Sequence, residues 1–332
     1  MIRDFLKHIL AFWHEPQFVQ VRWVWGDVWK TWYLQNQDPL EEKMGVLKLD
    51  LDDESCSIID TICERLFFIC PWQRYSDKAL YHRSLLVSEI EKKQQSEIHL
   101  NYNLKETIKK YRLPITYYPS AIFYYDDGLK FVPTDVLSQI TNKDFIDGGA
   151  WIGDSALTFL QYNPNRIFSF EPLKTNYELL QKTIELGQFQ DKIIPVKMGL
   201  GASDTTVVLY GDATDASIHK EVLEINTVKE RQVKETVKIT SIDNFVSSNG
   251  IIPGLIKLDI EGNELDAIKG GIDTICKYKP VLIISIYHTP VDFFEIKPLI
   301  ISHCPGYTFM VRRLDPAHPT AETILIGYYK KR

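Results

Sequence analysis

The sequence predicts an α/β fold, a mostly parallel sheet with an antiparallel last strand, entered through a mainly helical region. Three observations predict it. From residue 143 onward, strand-like and helix-like segments alternate. A Gly-rich turn, Asp147-Gly148-Gly149-Ala150-Trp151-Ile152-Gly153-Asp154-Ser155, joins an apolar lead-in to a helix-capable run. The chain closes on two strand-like segments, 307–313 and 322–329, that read as an antiparallel pair across Asp315-Pro316-Ala317-His318-Pro319.

Residues 1–112 differ in character from the rest. Six tryptophans lie there (Trp13, Trp23, Trp25, Trp29, Trp32 and Trp72), and the stretch Ser76 to Arg112 lacks Gly and Pro. Leu104, Ile108 and Tyr111 follow helical spacing. This region is expected to be helical and to serve oligomerisation or acceptor binding, its tryptophans filling a small core or a dimer interface. Cys56, Cys63 and Cys70 recur every seven residues, which suits one packed helix face. Residues 113–332 are expected to form the second domain. It opens with a β-hairpin, 121–125 and 129–132, around Asp126-Asp127-Gly128, because an Asp-Gly step supplies positive φ. Candidate strands then follow at 144–147, 166–170, 192–197, 205–210, 236–239, 254–259, 281–286, 307–313 and 322–329.

Composition narrows the function. The 332 residues are 45% hydrophobic and 25% charged, as in a soluble protein with a sizeable core. A net charge of −6 gives no basic field for nucleic acid. No run of 18 apolar residues predicts a membrane span, and the start is too charged for a secretory signal. Five cysteines without metal-ligand spacing read as reduced thiols in a cytoplasm.

The Gly-rich turn follows a strand and opens a helix, as in nucleotide-binding folds. Glu171, behind the strand-like run Arg166 to Phe170, is placed to accept hydrogen bonds from two ribose hydroxyls. Gly148, Ala150 and Gly153 occupy the three glycine positions of a dinucleotide fingerprint. Ala150 stands where the backbone must approach a pyrophosphate. Asp147 beside the turn disfavours a phosphate but suits the ammonium of a methionine moiety. S-adenosylmethionine therefore fits better than NAD.

A second constellation is Leu255-Ile256-Lys257-Leu258-Asp259-Ile260-Glu261-Gly262-Asn263-Glu264. Strand alternation puts Lys257, Asp259 and Glu261 on one face at the carboxyl end of a strand, where open α/β sheets bind ligands. Three charges on one face are costly to bury unless paired, so an ion pair of Lys257 with Asp259 or Glu261 is the structural alternative. His288 follows the apolar strand Val281 to Tyr287, with Asp292 four residues on to orient its ring.

These segments resemble the FkbM family of S-adenosylmethionine-dependent methyltransferases over roughly residues 120–330. The likeness rests on the Asp147–Ser155 turn, on Phe170-Glu171-Pro172, on Asn176, and on Ile256-Lys257-Leu258-Asp259-Ile260-Glu261-Gly262-Asn263-Glu264. One departure is Trp151, where the family often has Asn. The resemblance implies a class I methyltransferase (Rossmann-like) sheet of seven strands and O-methylation of sugars, polyketides or related natural products. It implies that Asp147, Gly148, Gly149, Ala150, Gly153, Asp154 and Ser155 cradle the methionine part. Glu171 holds the ribose, Pro172 shapes that turn, Gly201 and Ala202 border the adenine, and Asn176 and Asp259 are further cofactor-binding residues.

The expected function is O-methylation of a sugar, glycolipid or related hydroxyl. A hydroxyl acceptor gains from a general base. Asp259 and Glu261 are the first candidates, with Lys257 tuning them, and His288 is the second. Glu264 is expected to be a first-turn helix-dipole partner. No metal site is expected. The rival readings are a non-catalytic S-adenosylmethionine-binding or interaction module and an NAD-dependent sugar oxidoreductase.

Overall fold

A parallel strand covered on both faces must be apolar at successive positions, and the central strands of this protein are. In the computed structural model, which describes residues 18–22, 26–36, 39–69, 78–82, 88–209, 235–316 and 320–330, neighbouring residues divide between two cores. Ile146, Ile256, Leu282 and Ile284 point into one layer, and Phe145, Leu255, Val281 and Ile283 into the other.

The N-terminal part contributes strands β1 (Phe18–Arg22) and β2 (Lys78–His82), paired antiparallel. Its helices are α1 (Gly26–Gln35), α2 (Leu40–Lys48), α3 (Asp53–Ile69), α4 (Glu89–Asn101) and α5 (Leu104–Lys110). The region is mainly helical, as expected, with the β1–β2 pair as its only strands among the described residues. Helix α5 forms as its spacing predicts, but the face it buries is another: Leu104 and Ile108 are exposed, and Thr107 is the buried residue. Trp29 and Trp32 pack on Phe293 and Phe294 at 5.5 and 4.9 Å, so these two fill the chain's own core. Trp13, Trp23, Trp25, Trp72 and Cys70 lie outside the described residues. Cys63 is buried and Cys56 half-buried.

The expected hairpin at 121–132 is absent. A short helix α6 (Ser120–Phe123) and a 3-10 turn (Asp126–Phe131) stand there. The Asp-Gly step does supply positive φ, 54° at Asp127 and 97° at Gly128. Its flanks are helical because Gly128 is pressed against Ile324, where a Cβ would stand 2.4 Å from Cδ1.

Then come α7 (Thr134–Ile140), β3 (Asp144–Gly148), α8 (Asp154–Phe159), β4 (Ile167–Phe170), α9 (Lys174–Gly187) and β5 (Ile193–Val196). Strands β6 (Gly199–Leu200), β7 (Thr205–Leu209) and β8 (Glu235–Thr240) form a separate three-stranded sheet. Next are α10 (Ile242–Asn249), β9 (Pro253–Leu258), α11 (Glu264–Lys269), α12 (Ile272–Tyr278) and β10 (Val281–Ser285). Helix α13 (Pro290–His303), β11 (Tyr307–Arg313) and β12 (Thr323–Tyr329) complete the order.

The main sheet has seven strands in the order β11-β12-β10-β9-β3-β4-β5. Strands β10, β9, β3, β4 and β5 run parallel, and β12 runs antiparallel to both β10 and β11. The antiparallel close and the seven-stranded sheet are as expected. The reduced state expected for Cys276 and Cys304 is not: they form a disulfide, Cα atoms 5.1 Å apart, because α12 and α13 lie side by side. Among the described residues no helix is long and apolar enough to cross a membrane.

Charged side chains fasten the N-terminal helices to the sheet. Glu91 on α4 is buried between Arg65 of α3 and Arg313 of β11, at 2.5 and 2.9 Å. Lys297, buried on α13, donates to Leu47 O at 2.9 Å, one of the carbonyls that the end of α2 leaves open. Trp29 Nε1 donates to Tyr287 O at 2.9 Å, one residue before His288.

Candidate active site

The crevice opens at the carboxyl ends of β3, β4 and β9. Main-chain hydrogen bonds lock their three loops together. Gly149 and Ala150 N–H both donate to Phe170 O, at 3.1 and 2.9 Å, and Asp259 N–H donates to Gly148 O at 3.1 Å. Gly149 has φ +74°, and a Cβ there would stand 1.8 Å from Asp259 O. Only glycine allows that approach.

Above these loops lies a cavity of about 620 Å³. One wall is apolar, built by Phe170, Pro172, Leu173, Leu200, Leu209 and Ile239. Carboxylates line much of the rest: Asp127, Asp154, Glu171, Asp259, Glu261 and Glu322. Tyr117 and Trp151, packed edge to face at 5.2 Å, stand at the same cavity.

Glu171 sits where the spacing predicted. Trp151 N–H donates to Oε2 at 3.1 Å and Leu173 N–H to Oε1 at 2.9 Å, so each oxygen keeps acceptor capacity. Asn176 adds a side-chain hydrogen bond. Burial pushes the Glu171 carboxyl up to about 7 despite these donors. Asp154 and Ser155 begin α8. Burial likewise raises Asp154 to about 7, and its Oδ2 is enclosed with no hydrogen-bond partner among the described residues. Ser155 Oγ donates to Asp127 Oδ2 at 2.8 Å.

Asp147 is placed differently from the expectation. It is fully buried, with Lys257 Nζ 3.3 Å away and Ser169 Oγ donating at 3.3 Å. The cause is register: Asp147 and Lys257 are neighbours on parallel strands β3 and β9. Lys257 also donates to Gly149 O at 3.0 Å. Its charge therefore braces the turn, where the structural alternative had paired it with Asp259 or Glu261. Burial opposes that charge, but Asp147, Asp127, Asp259 and Asp154 raise the Lys257 pKa. Gly148 packs beneath Leu200 and Leu258, Ala150 lies in the core, and Gly153 starts α8 with φ +84°. Gly201 packs on Ile239 and faces Gly270 with Ala202; Gly199 and Leu200 meet the cavity instead.

Strand β9 ends at Leu258, so the predicted alternation stops before Asp259. Asp259 and Glu261 still reach the cavity, Glu261 through a left-handed turn with φ 58°. His288 lies buried behind them. Its Nδ1 is 3.0 Å from Glu264 Oε1, and its Nε2 is 3.4 Å from Asp259 Oδ1 and 3.7 Å from Glu261 Oε2. Burial works against charge on the ring, but Glu264, Glu261 and Asp259 outweigh it and raise the pKa to about 10. Both ring nitrogens face carboxylates, and His288, the second candidate base, lies behind the residues that line the cavity. Glu264 does more than face a helix dipole. It accepts Ile260 N–H at 2.7 Å and Gly262 N–H at 3.0 Å, shaping the loop that carries Asp259 and Glu261. Asp292 accepts Leu265 N–H at 3.0 Å and the Thr289 hydroxyl at 2.6 Å.

Sequence reasoning missed Asp127, Glu322, Tyr117 and Tyr287. The positive-φ Asp-Gly step was a signal for Asp127. Glu322 carried none, since only the β11–β12 pairing brings it over the crevice. Burial, then Asp259 and Asp127, raise its pKa.

The raised His288 pKa sets a pH dependence. A cation stabilised by folding contributes fully below its unfolded value of about 6.5, and the contribution is lost as pH rises through about 10. The thermal midpoint is therefore expected to fall between these pH values, and His288→Gln to flatten that fall. An unchanged slope in the variant would place the titration elsewhere.

The family of the methyltransferase FkbM domain matches residues 147–315. The fold is similar to that of the methyltransferase FkbM from Methylobacillus flagellatus KT, with a TM-score of 0.56 at 21% identity. The match covers 91% of this chain, and the chain spans 61% of that protein's length. An O-methyltransferase from Bacillus cereus in complex with SAH matches at a TM-score of 0.42 and 9% identity, over 71% of this chain and 96% of that one. A methyltransferase from Geobacter sulfurreducens matches at 0.40 and 8%, over 74% and 98%. No curated protein sequence matches this chain.

Proposed function

Because the chain belongs to the FkbM methyltransferase family, we propose that it transfers a methyl group from S-adenosylmethionine to a hydroxyl of a sugar, glycolipid or related natural product. The observation that carries this is one continuous cavity with Glu171 among its walls together with Asp259 and Glu261. The donor fits the residues present. Asp154 Oδ2, enclosed without a donor among the described residues, suits an ammonium. Glu171 has acceptor capacity left for ribose hydroxyls, and the apolar wall at Leu200 and Ile239 suits a base. A wall so rich in carboxylates disfavours the pyrophosphate of NAD.

When bound, S-adenosylmethionine supplies a methyl group already activated on a sulfonium. The chain then has to align the acceptor and exclude water. Asp259 and Glu261 hold the acceptor hydroxyl and take its proton. Lys257 keeps the Gly149 carbonyl in place. Carboxylates beside an aromatic pair, Tyr117 and Trp151, offer what a polyhydroxylated ring needs: acceptors for its hydroxyls and an apolar surface for its face.

Calorimetry with S-adenosylmethionine, its demethylated product and NAD tests the donor. Micromolar or tighter binding of the first two is expected, with negligible NAD binding; the opposite order refutes the reading. Glu171→Ala is expected to weaken cofactor binding by roughly 1.5–3 kcal/mol. Glu171→Gln, which keeps one acceptor oxygen for the loop, is expected to weaken it less. Unchanged affinity in both variants would move the ribose elsewhere.

A further inference from the structure

We propose that the methyl acceptor carries an ammonium group, as an amino sugar does, and that Tyr117, Trp151 and Glu322 form the corner of the cavity that selects it. Calling this ligand the acceptor rests on the methyltransferase reading. The three residues come from separate parts of the chain. Tyr117 lies in the irregular segment between α5 and α6, Trp151 in the turn after β3, and Glu322 immediately before β12. All three line the cavity.

Each side chain is delivered there by its backbone. Tyr118 is tied down: its hydroxyl donates to Tyr111 O at 3.0 Å, and the Tyr102 hydroxyl donates to its carbonyl at 2.6 Å. The adjacent Tyr117 is left 49% exposed, with its ring edge to face against Trp151. Trp151 and Glu322 both have left-handed backbone, with φ 44° and 56°. Residues with such bulky side chains rarely adopt it. Main-chain groups hold both in place: Trp151 N–H donates to Glu171 Oε2 at 3.1 Å, and Leu314 N–H donates to Glu322 O at 2.8 Å.

Aromatic faces beside a carboxylate are what an ammonium needs. The negative face of a ring attracts a cation, most strongly where water is excluded, and the carboxylate accepts its N–H bonds. Burial, then Glu322, Asp154, Asp315 and Asp259, push the Tyr117 hydroxyl up to about 12, so the ring stays a neutral phenol amid acids. The cavity's charge exceeds what the cofactor answers. Asp154 is 3% exposed, and its Oδ2 is enclosed with no hydrogen-bond partner among the described residues, which marks a place for a cation. S-adenosylmethionine brings an ammonium and a sulfonium but also a carboxylate, leaving a single net positive charge. Six carboxylates line the cavity: Asp127, Asp154, Glu171, Asp259, Glu261 and Glu322. Lys257 is committed to Asp147 and Gly149 O, and His288 faces Glu264, Asp259 and Glu261. The charges that weigh most on Glu322 are Asp259 and Asp127, both negative. A neutral sugar leaves that repulsion in place, whereas an ammonium at Glu322 relieves it.

The test is binding of glucosamine, N-acetylglucosamine and glucose to the full-length protein at pH 7, followed by saturation-transfer NMR with the demethylated cofactor bound. The three sugars differ at one carbon, which bears an ammonium, an amide or a hydroxyl. Glucosamine is expected to bind at least about tenfold tighter than either neutral sugar, the contribution of a hydrogen bond to a charged group. Glu322→Gln and Tyr117→Leu should each remove most of that difference. Thermal melting establishes that each variant is folded. Equal binding of the three sugars, no binding of glucosamine, or an amine preference that survives either substitution in a folded variant overturns the proposal. With the demethylated cofactor still bound, such a result leaves the methyltransferase reading standing. Failure of the cofactor to bind strikes that reading instead, and the acceptor assignment with it.

Discussion

Asp259→Asn and Glu261→Gln are each expected to slow methyl transfer by about 10²–10⁴-fold, the usual contribution of general acid–base catalysis, while changing cofactor affinity far less. The backbone of Asp259 does the structural work in its loop. Its N–H bonds Gly148 O, and its carbonyl is the surface against which Gly149 packs. Asn leaves both intact. The side chains are about one-third exposed toward the cavity, 33% for Asp259 and 28% for Glu261. Their amides keep shape and lose charge, so the loss is chemical. The measurement is turnover over a panel of sugar and glycolipid hydroxyls, alongside calorimetry with the demethylated cofactor. Near-full turnover in both variants would reduce the pair to counter-charges for His288.

Gly149→Ala is expected to have the largest effect on folding. The residue has φ +74°, where an L side chain costs about 1–2 kcal/mol. The added Cβ would also lie 1.8 Å from Asp259 O, a backbone atom tied through its own residue to Gly148. Neither partner can move without opening the loops that bound the cavity. The expected loss is about 3 kcal/mol or more in denaturant melts, with cofactor binding abolished. Gly250→Ala isolates the conformational part: φ is +61°, but nothing lies within 4 Å of the new Cβ. Equal destabilisation in the two variants would mean that the loops separate freely, and the close-approach account would fail.

The legible parts of this protein were local. Each candidate strand from 144–147 onward is present within a residue or two; those of the main sheet's centre carry continuous apolar runs because they are buried on both faces. The Asp147–Ser155 turn and Glu171 were readable for the same reason: a strand, its turn and the next helix are written contiguously. Partner choice was not readable. Segments 205–209 and 235–240 are strands as expected, yet they leave the main sheet: they pair with each other, and 235–240 pairs on its other edge with Gly199–Leu200. The Asp126-Asp127-Gly128 turn exists, but contact with β12 sets its flanks in helical turns. Cys276 and Cys304, 28 residues apart, meet only because two helices pack.

The chain's own pattern thus determined the strands, their apolar faces, the position of the cofactor turn and the acids at its edge. Tertiary structure decided which charge meets which. Parallel register set Lys257 beside Asp147. The packing of β10 against β9 delivered His288 to Glu264, Asp259 and Glu261, and the β11–β12 return carried Glu322 over the crevice. Backbone pattern depends on neighbours a few residues away, which a sequence displays. Electrostatic pairing depends on distances of 3–4 Å between residues far apart in the chain, and those distances exist only once the sheet has assembled.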